Sequence, residues 1–579
     1  MKIFRKFLMI GTAVALLGGV LAPVAAQEGG QGGIIIEGNL SADVATMNPI
    51  MSSDTASSRV IGFMFPSFIG ADPAAAVLAP AQPNSLAESW EISEDGLTYT
   101  FTLRQDMTWS DGTPITSADI LYSWEAIKAG AEGLIDVPGS YIIDPTGATG
   151  VLDVQAPDDY TVVVTMASPE CTSLSYAASI VPAPSHVLPE DVSTLGDSEF
   201  NLNPTVTRGP FTFGEFRPGE QVSLVNDPTY PAVDTVLGYV APEGFIYRTV
   251  PDQTVMVEQF LAGELNVIDG PAVARRQDIR NSSATVYSYP GNAWDYLAMN
   301  LADPNNPQNA FDEAGNPIDQ GNHPIFGDVR VRQALARAID VESIIDAAVF
   351  NEGERMTSFL IPASWAYADD LAPIPFDPEA AAAMLDEAGW VDADNDPATP
   401  RVAQGSMYAE DGAEFVFTLY TNEGNTRREA IGTLVQDQLA QIGVRVDFQT
   451  IDFNTLLDIM DSQTFDTIIL GWRNGYPDDP DATQLFTPAS DVIGSGSNFT
   501  SFNNERFTEL NAQAKSLPGC DPAERAAIYG EMQQIMQDEL PYIWLFATNG
   551  MYAANSIEGF DPYPSQLYWN ADAWSVSTP

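Results

Sequence analysis

Only two cysteines, two histidines and 24 lysines and arginines occur in the 579 residues, against 79 aspartates and glutamates. Each scarcity excludes something. His186 follows a proline-rich stretch and His323 precedes Pro324, and no H-E-x-x-H, G-x-S-x-G or P-loop pattern accompanies them, so neither a metal centre, a cofactor site nor an enzymatic activity is expected. A net charge of −55 argues against nucleic acid as a partner and disfavours anionic membranes. Long apolar runs are also lacking. The one candidate, Phe7 to Leu21, follows Lys2, Arg5 and Lys6, has no acidic neighbour and ends in Ala22-Pro-Val-Ala-Ala26. That pattern reads as a secretory signal peptide over residues 1–26, too short and wrongly flanked for a lasting span. Loss of its three cations takes the net charge from −55 to −58 and leaves Lys128 and Lys515 as the only lysines. No cysteine lies near the cleavage point, so an exported, periplasmic or extracellular protein without an evident lipid anchor is expected. In such a compartment Cys171 and Cys520 are compatible with a disulfide or with two buried thiols.

What is present is organised α/β sequence, long enough for more than one hydrophobic core. Around residues 86–128, Ser89 to Ile92 and Thr98 to Leu103 read as a hairpin across Ser-Glu-Asp-Gly, with Tyr99, Phe101 and Leu103 on one face. Thr116 and Asp119 have the spacing of a capping box, and Ile120, Leu121, Trp124 and Ile127 line the helix that follows. Ile34 to Ile36 reads as a first buried strand, Ser52 to Ser58 as a polar loop, and Asp72 to Pro83 as a connector. Val331, Leu335, Ala338 and Ile339 share one helical face with Arg330, Arg332 and Arg337 off it, and Asp340 caps the next helix. Asp377-Pro378 starts a further helix that Gly389 ends. Asp392, Asp394 and Asp396 read as Asx-turns rather than a calcium loop, because Pro397 and Ala403 stand where such a loop needs Gly and Glu. Late in the chain a helix over residues 427–442, an alternating strand at Val444, Val446 and Phe448, a second helix from Phe453 and an apolar strand from Phe465 to Trp472 imply parallel pairing. Ligands collect beyond the carboxyl ends of such strands, which points to Gly471, Trp472, Arg473, Asn474, Gly475 and Tyr476. Asp478, Asp479 and Asp481 beyond them read as surface Asx-turn residues.

The words LAESWEISEDGLTYTFTLR, TWSDGTPITSADILYSWEAI, FGDVRVRQALARAIDVESII and LPYIWLFA, with Thr207-Arg-Gly-Pro-Phe211, resemble in order the family 5 extracellular solute-binding proteins of ABC importers, the oligopeptide-, dipeptide- and nickel-binding group. The resemblance implies a two-lobed, periplasmic-binding-protein type II α/β fold with an extra small domain and a hinge of two crossing segments. The expected division is residues 27–70, 183–290 and 541–579 for the first lobe, 71–182 for the small domain and 291–540 for the second lobe. It further implies a monomeric receptor that closes on a solute and docks on a membrane permease without chemistry on the ligand. An oligopeptide is the leading ligand, an oligosaccharide the alternative, and a secreted sensing protein of the same fold a third reading. In peptide-binding relatives an Asp three residues after the Gly-Trp pair meets the ligand ammonium; here that position is Gly475, leaving Asp54 or Asp478 to supply the charge. Asp54, Ala56 and Tyr141 match cleft positions, and Trp294 and Trp365 are stacking candidates. Trp472 is open to a second reading as a core residue ending its strand.

Overall fold

The first isoleucines form β1 (Ile34–Asn39), with Ile35 fully buried and Ile34 at an exposed end. The computed structural model describes residues 32–577 apart from 40–43, 144–148, 251, 313, 395, 476–478, 495 and 565, so the leader, Tyr476 and Asp478 lie outside the described residues. Helix α1 (Thr55–Met64) corrects the reading of residues 52–58 as a loop: Asp54 accepts the Ser57 amide at 2.8 Å, and Ala56, Val60, Phe63 and Met64 are buried behind that cap. The Ser- and Thr-rich first turn has low helix propensity, but capping and burial outweigh it. The connector is also structured, as a short hairpin of Gly70–Asp72 with Val77–Ala79.

The small α/β unit follows the sequence closely. Strands β2 (Ala87–Ile92) and β3 (Thr98–Leu103), helix α2 (Ser117–Ala131), and strands β4 (Val151–Asp158) and β5 (Thr161–Met166) build a four-stranded antiparallel sheet in the order β2-β3-β5-β4 under one helix. The capping box is present, and Asp119 does more than cap. Its buried carboxylate accepts from the Thr116 amide (3.0 Å), the Trp109 indole (3.3 Å) and both the amide and hydroxyl of Ser185 (3.0 and 2.8 Å). The chain leaving the unit is thereby tied to the start of its helix.

An eleven-stranded sheet runs through the rest of the molecule. Its strands are β1, β6 (Phe211–Arg217), β7 (Gln221–Asn226), β8 (Gly244–Thr249), β9 (Val267–Asp269), β10 (Thr285–Met299), β11 (Gly353–Arg355), β12 (Val416–Asn422), β13 (Arg445–Ile451), β14 (Thr467–Arg473) and β15 (Tyr542–Ala554). The order is β13-β12-β14-β10-β15-β9-β1-β8-β7-β6, with β11 also on β15. The late parallel pairing is refined: β13 and β14 are not neighbours but flank β12, each parallel to it. Helices α3 (Val329–Ala338), α4 (Thr426–Ala440), α5 (Phe453–Asp461), α6 (Glu505–Lys515) and α7 (Pro522–Glu539) accompany the β10–β15 half. Arg332, expected off the buried face of α3, is instead buried, donating to the carbonyls of Phe326 (2.6 Å) and Glu539 (2.7 Å), and burial lowers its pKa to about 10.

Two large cores divide along β10 and β15. Phe63, Phe101, Trp124, Phe211, Phe245, Tyr552 and Trp574 belong to one, which fuses the small unit with the β1–β8 half. Trp294, Tyr296, Leu419, Ile468, Tyr542 and Phe546 belong to the other. Both strands change core where their register shifts, between Tyr289 and Ala293 on β10 and around Thr548–Gly550 on β15. We call the two bodies the first and second lobes. At the crossover Glu352 accepts from Arg276 (3.0 Å) and from Arg280, while Arg276 also donates to the Asn549 carbonyl (2.8 Å). Burial opposes ionisation of Glu352, but the two guanidiniums outweigh it and hold its pKa below the usual carboxylate range. Cys171 and Cys520 are bonded to each other, 5.6 Å apart at Cα, which settles the sequence alternatives in favour of the disulfide.

Candidate functional site

On the first lobe, α1 and the C-terminal segment wall a cavity of about 750 Å³, lined among others by Ser52, Thr55, Ser58, Arg59, Tyr552, Tyr568 and Trp569. Its chemistry comes from a compact cluster. Arg59, one of few cations, projects from α1, pairs with Asp269 at the end of β9 (2.8 Å), lies 3.7 Å from Glu37 on β1, and packs 4.5 Å over the Tyr568 ring. The Tyr568 hydroxyl donates to Glu37. Burial raises the Glu37 carboxyl to about 7, against the opposing pull of Arg59 and Tyr568. Burial likewise raises Tyr568 and Tyr247 well above the usual phenol range. Asp54 stands half-buried at the helix start, one oxygen used by the Ser57 amide, with Thr55 and Ser58 beside it on the cavity wall.

On the second lobe the carboxyl end of β14 lies against the crossover. Gly471 is required by close approach: a Cβ there would sit 2.6 Å from the Trp294 carbonyl and 2.9 Å from Arg428. Trp472 is half-buried, stacked with Tyr296 at 6.2 Å and near Phe499 at 6.4 Å. Its ring therefore takes part in core packing. Opposite Gly471 on β10, Asp295, 1% exposed, is held between Arg427 (2.8 Å) and Arg428 (3.1 Å) at the start of α4. Asn474 is stitched to β10: its amide donates to the Asn292 carbonyl (2.9 Å), its carbonyl accepts from the Asn292 side chain (2.6 Å), and its side-chain oxygen accepts from the Trp294 indole (2.9 Å). Arg473 and Gly475 are exposed, and a Cβ on Gly475 would meet nothing within 4 Å.

The sequence candidates therefore fall into separate groups. Gly471 to Gly475 and Trp294 come together at the crossover, but Trp294 is 2% exposed and its indole is spent on Asn474, so it supports the loop and offers no stacking face. Trp365 is 40% exposed, edge-on to Tyr529 and 5.1 Å from Arg525, which in turn holds Asp479 at 3.2 Å. Ala56 is 1% exposed and turned into the core of the first lobe, which removes it as a contact residue. Tyr141, 67% exposed, bonds Ser179 at 2.8 Å on the small unit. Asp479 and Asp481 accept amides two residues on, as Asx-turns do, yet are not simple surface groups: Asp481 also pairs with Lys515 at 3.0 Å. Burial opposes its ionisation, but Lys515 and the Thr483 bonds prevail and lower its pKa. Both histidines serve local contacts, His186 with Asp111 (2.8 Å) and His323 accepting two backbone amides on Nδ1 while Nε2 meets Asp466 (3.1 Å).

Arg59, Glu37, Asp269 and Tyr568 were absent from the sequence candidates. Glu37, Asp269 and Tyr568 come from three distant stretches and carry no local signal. Arg59 does: it is a lone cation beside Ser57 and Ser58 in a chain where acids outnumber bases 79 to 24.

Comparison with known proteins places this geometry. The model of the bacterial extracellular solute-binding proteins, family 5 middle, matches residues 83–492. The oligopeptide-binding protein AppA of Bacillus subtilis is 26% identical over 561 residues, covering 94% of this chain and 92% of that protein. The dipeptide-binding protein of Escherichia coli K12 is 27% identical over 476 residues, 79% of each chain. The structure of B. subtilis AppA in complex with a nonapeptide superposes with a TM-score of 0.66 at 25% identity, covering 95% of this chain and all of the other.

Proposed function

The chain belongs to the bacterial extracellular solute-binding proteins of family 5, and from that premise we propose that it is the receptor subunit of an ABC importer, capturing an oligopeptide between its lobes and delivering it to a membrane permease. The observation that carries the ligand class is the likeness to an oligopeptide-binding protein along nearly the full length of both chains. Residues 1–26 direct export and are removed, and the mature receptor works outside the membrane as a monomer without chemistry on its ligand. Residues 71–182 form the small domain that rides on the first lobe.

In this reading the Arg59 cavity and the Trp472–Gly475 edge are the two faces that a bound peptide joins. A ligand favours the closed form only through contacts it makes in that form and not in the open one. The exposed Arg473 and the backbone through Gly475 face the peptide main chain, Tyr141 and Trp365 border it, and Gly471 with Trp472 fixes the edge in place. Gly475 leaves the ligand ammonium without the carboxylate that relatives place there. Asp54, beside the first-lobe cavity and with one carboxylate oxygen outside its capping bond, supplies that charge instead.

Native mass spectrometry of protein purified without denaturation tests the ligand class. Retained masses spaced as amino-acid residues support it; a hexose ladder overturns it in favour of an oligosaccharide receptor. The role of Asp54 is tested by Asp54→Asn, which removes the charge while keeping a cap of equal quality. Binding of peptides with a free N-terminus is expected to weaken about tenfold, roughly 1.4 kcal/mol, with N-acetylated peptides unaffected. Equal affinity of variant and wild type for free peptides would remove Asp54 from the site.

A further inference from the structure

The two cysteines of this chain sit on different bodies. Cys171 lies between β5 and the Ser173–Ala178 helix, on the unit whose core is continuous with the first lobe. Cys520 lies between α6 and α7, whose buried residues Leu510, Ala514, Tyr529 and Met532 belong to the second-lobe core. We propose that the Cys171–Cys520 disulfide is a clasp, a third covalent tie between the lobes beside the two crossover strands, which restricts how far the solute cleft opens. The inference needs only the two-lobed architecture and holds whatever solute is bound.

Two strands crossing side by side leave the lobes free to rotate about them, and hinge closure of this kind is how two-lobed receptors act. A third point of attachment, outside both strands, changes that. Disulfide geometry keeps the two Cα atoms between roughly 4.4 and 6.8 Å apart, so a rigid rotation that separates these loops by more than a few ångströms is blocked unless the loops themselves deform. Noncovalent contacts share the seam. The Cys171 amide donates to the Lys515 carbonyl at 2.8 Å, and the Lys515 ammonium pairs with Asp481 while also lying in the field of Glu170 across the seam. Contacts of this kind break on opening and re-form on closing; the bridge does not.

The turn that carries Cys520 is built for its position. Gly519 (φ +80°) and Cys520 (φ +49°) both occupy the left-handed region, and the Cys520 amide closes the turn onto the Leu517 carbonyl at 3.0 Å. Side chains other than glycine rarely adopt that conformation. A cysteine is nonetheless placed there, in a turn that meets Cys171, and no other cysteine exists in the chain to pair with either. Reduction by a dithiol would release the clasp. One thiolate attacks a bridge sulfur, the second resolves the mixed disulfide, and two electrons and two protons convert Cys171 and Cys520 to thiols as the dithiol becomes a cyclic disulfide.

The test uses the full exported chain without ligand, in three forms: oxidised wild type, wild type treated with dithiothreitol, and the double variant Cys171→Ser/Cys520→Ser. Small-angle scattering reads the separation of the lobes, and hydrogen exchange reads the amides around Gly291 and Gly550. The clasp predicts a larger radius of gyration, a broader pair-distance distribution and several-fold faster exchange at the crossover in the reduced and double-variant forms than in the oxidised protein. Identical scattering and exchange in all three would overturn it and leave the bridge a stabilising staple only. Comparison is made among samples with native near-ultraviolet circular dichroism. Cys171→Ala/Cys520→Gly, which breaks the bridge while relieving the left-handed turn, replaces the serine variant if that variant misfolds.

Discussion

Glu37 is a carboxyl group placed where a carboxylate is costly, 2% exposed on a central strand, with one oxygen bonded by Tyr568 and Arg59 only 3.7 Å away. Desolvation wins over the cation, and its pKa rises from 4.5 to about 7. Between those values the native protein keeps a proton that the unfolded chain has released, so folding takes up a proton and stability falls as pH rises through this window, levelling off above it. The drop is at most between about 3 and 4 kcal/mol, from about 1.4 kcal/mol per pH unit over the rise from 4.5 to about 7. In the Glu37→Gln variant the amide oxygen still accepts from Tyr568 and no charge must be buried. Urea unfolding at half-unit steps from pH 5 to 8 is expected to give a flatter profile for the variant. Asp572, raised to about 6 by burial, retains a smaller slope of the same sign below pH 6. Parallel profiles for variant and wild type would mean that Glu37 ionises normally.

At the scale of elements, the crossover rests on two glycines with different tolerances. A Cβ on Gly291 would lie 1.9 Å from the Thr548 carbonyl oxygen, a backbone atom held in the sheet, whereas one on Gly550 would meet the Tyr289 ring at 2.1 Å. The ring is the far end of a side chain and swings at the expense of its packing on Tyr552 (4.6 Å); the carbonyl is backbone and does not. Gly291→Ala is therefore expected to destabilise by about 3 kcal/mol, at the upper end for overpacking, and Gly550→Ala by about half as much, both read from urea midpoints. Equal losses would mean that the backbone at Thr548 yields as easily as the ring. None of this was legible beforehand, because a register shift between Tyr289 and Ala293 depends on a partner strand more than 250 residues away. What was legible had local causes. The Thr116–Asp119 capping box and the Asp340 and Asp377 caps appear as read, since each depends on neighbours a few residues apart. The candidate site was half legible for the same reason. The apolar run that closes on Trp472 marks the end of strand β14 to within a residue, while α1 hides Arg59 behind a Ser- and Thr-rich start that local propensity assigns to a loop.

For the molecule as a whole the governing quantity is charge. With 79 acidic and 24 basic residues, pairing every cation with one carboxylate would still leave a surplus of 55 negative charges. Two effects of salt then compete. Screening weakens exposed ion pairs such as Arg217 with Glu215 or Arg506 with Glu531. It also weakens the mutual repulsion of the surplus, which acts over distances comparable to the roughly 10 Å Debye length at 0.1 M. Buried pairs such as Arg276 with Glu352 are screened much less. The surplus outnumbers the exposed pairs, so repulsion dominates and salt stabilises. Raising sodium chloride from 10 to 500 mM is expected to raise the melting temperature by several degrees, most steeply at the low end where the Debye length shrinks fastest, and a parallel sucrose series separates screening from solute exclusion at the surface. A melting temperature that stays level or falls with sodium chloride would mean that the acidic surplus is already spaced widely enough for water alone to screen it, and that the paired arginines are the more salt-sensitive part of the surface.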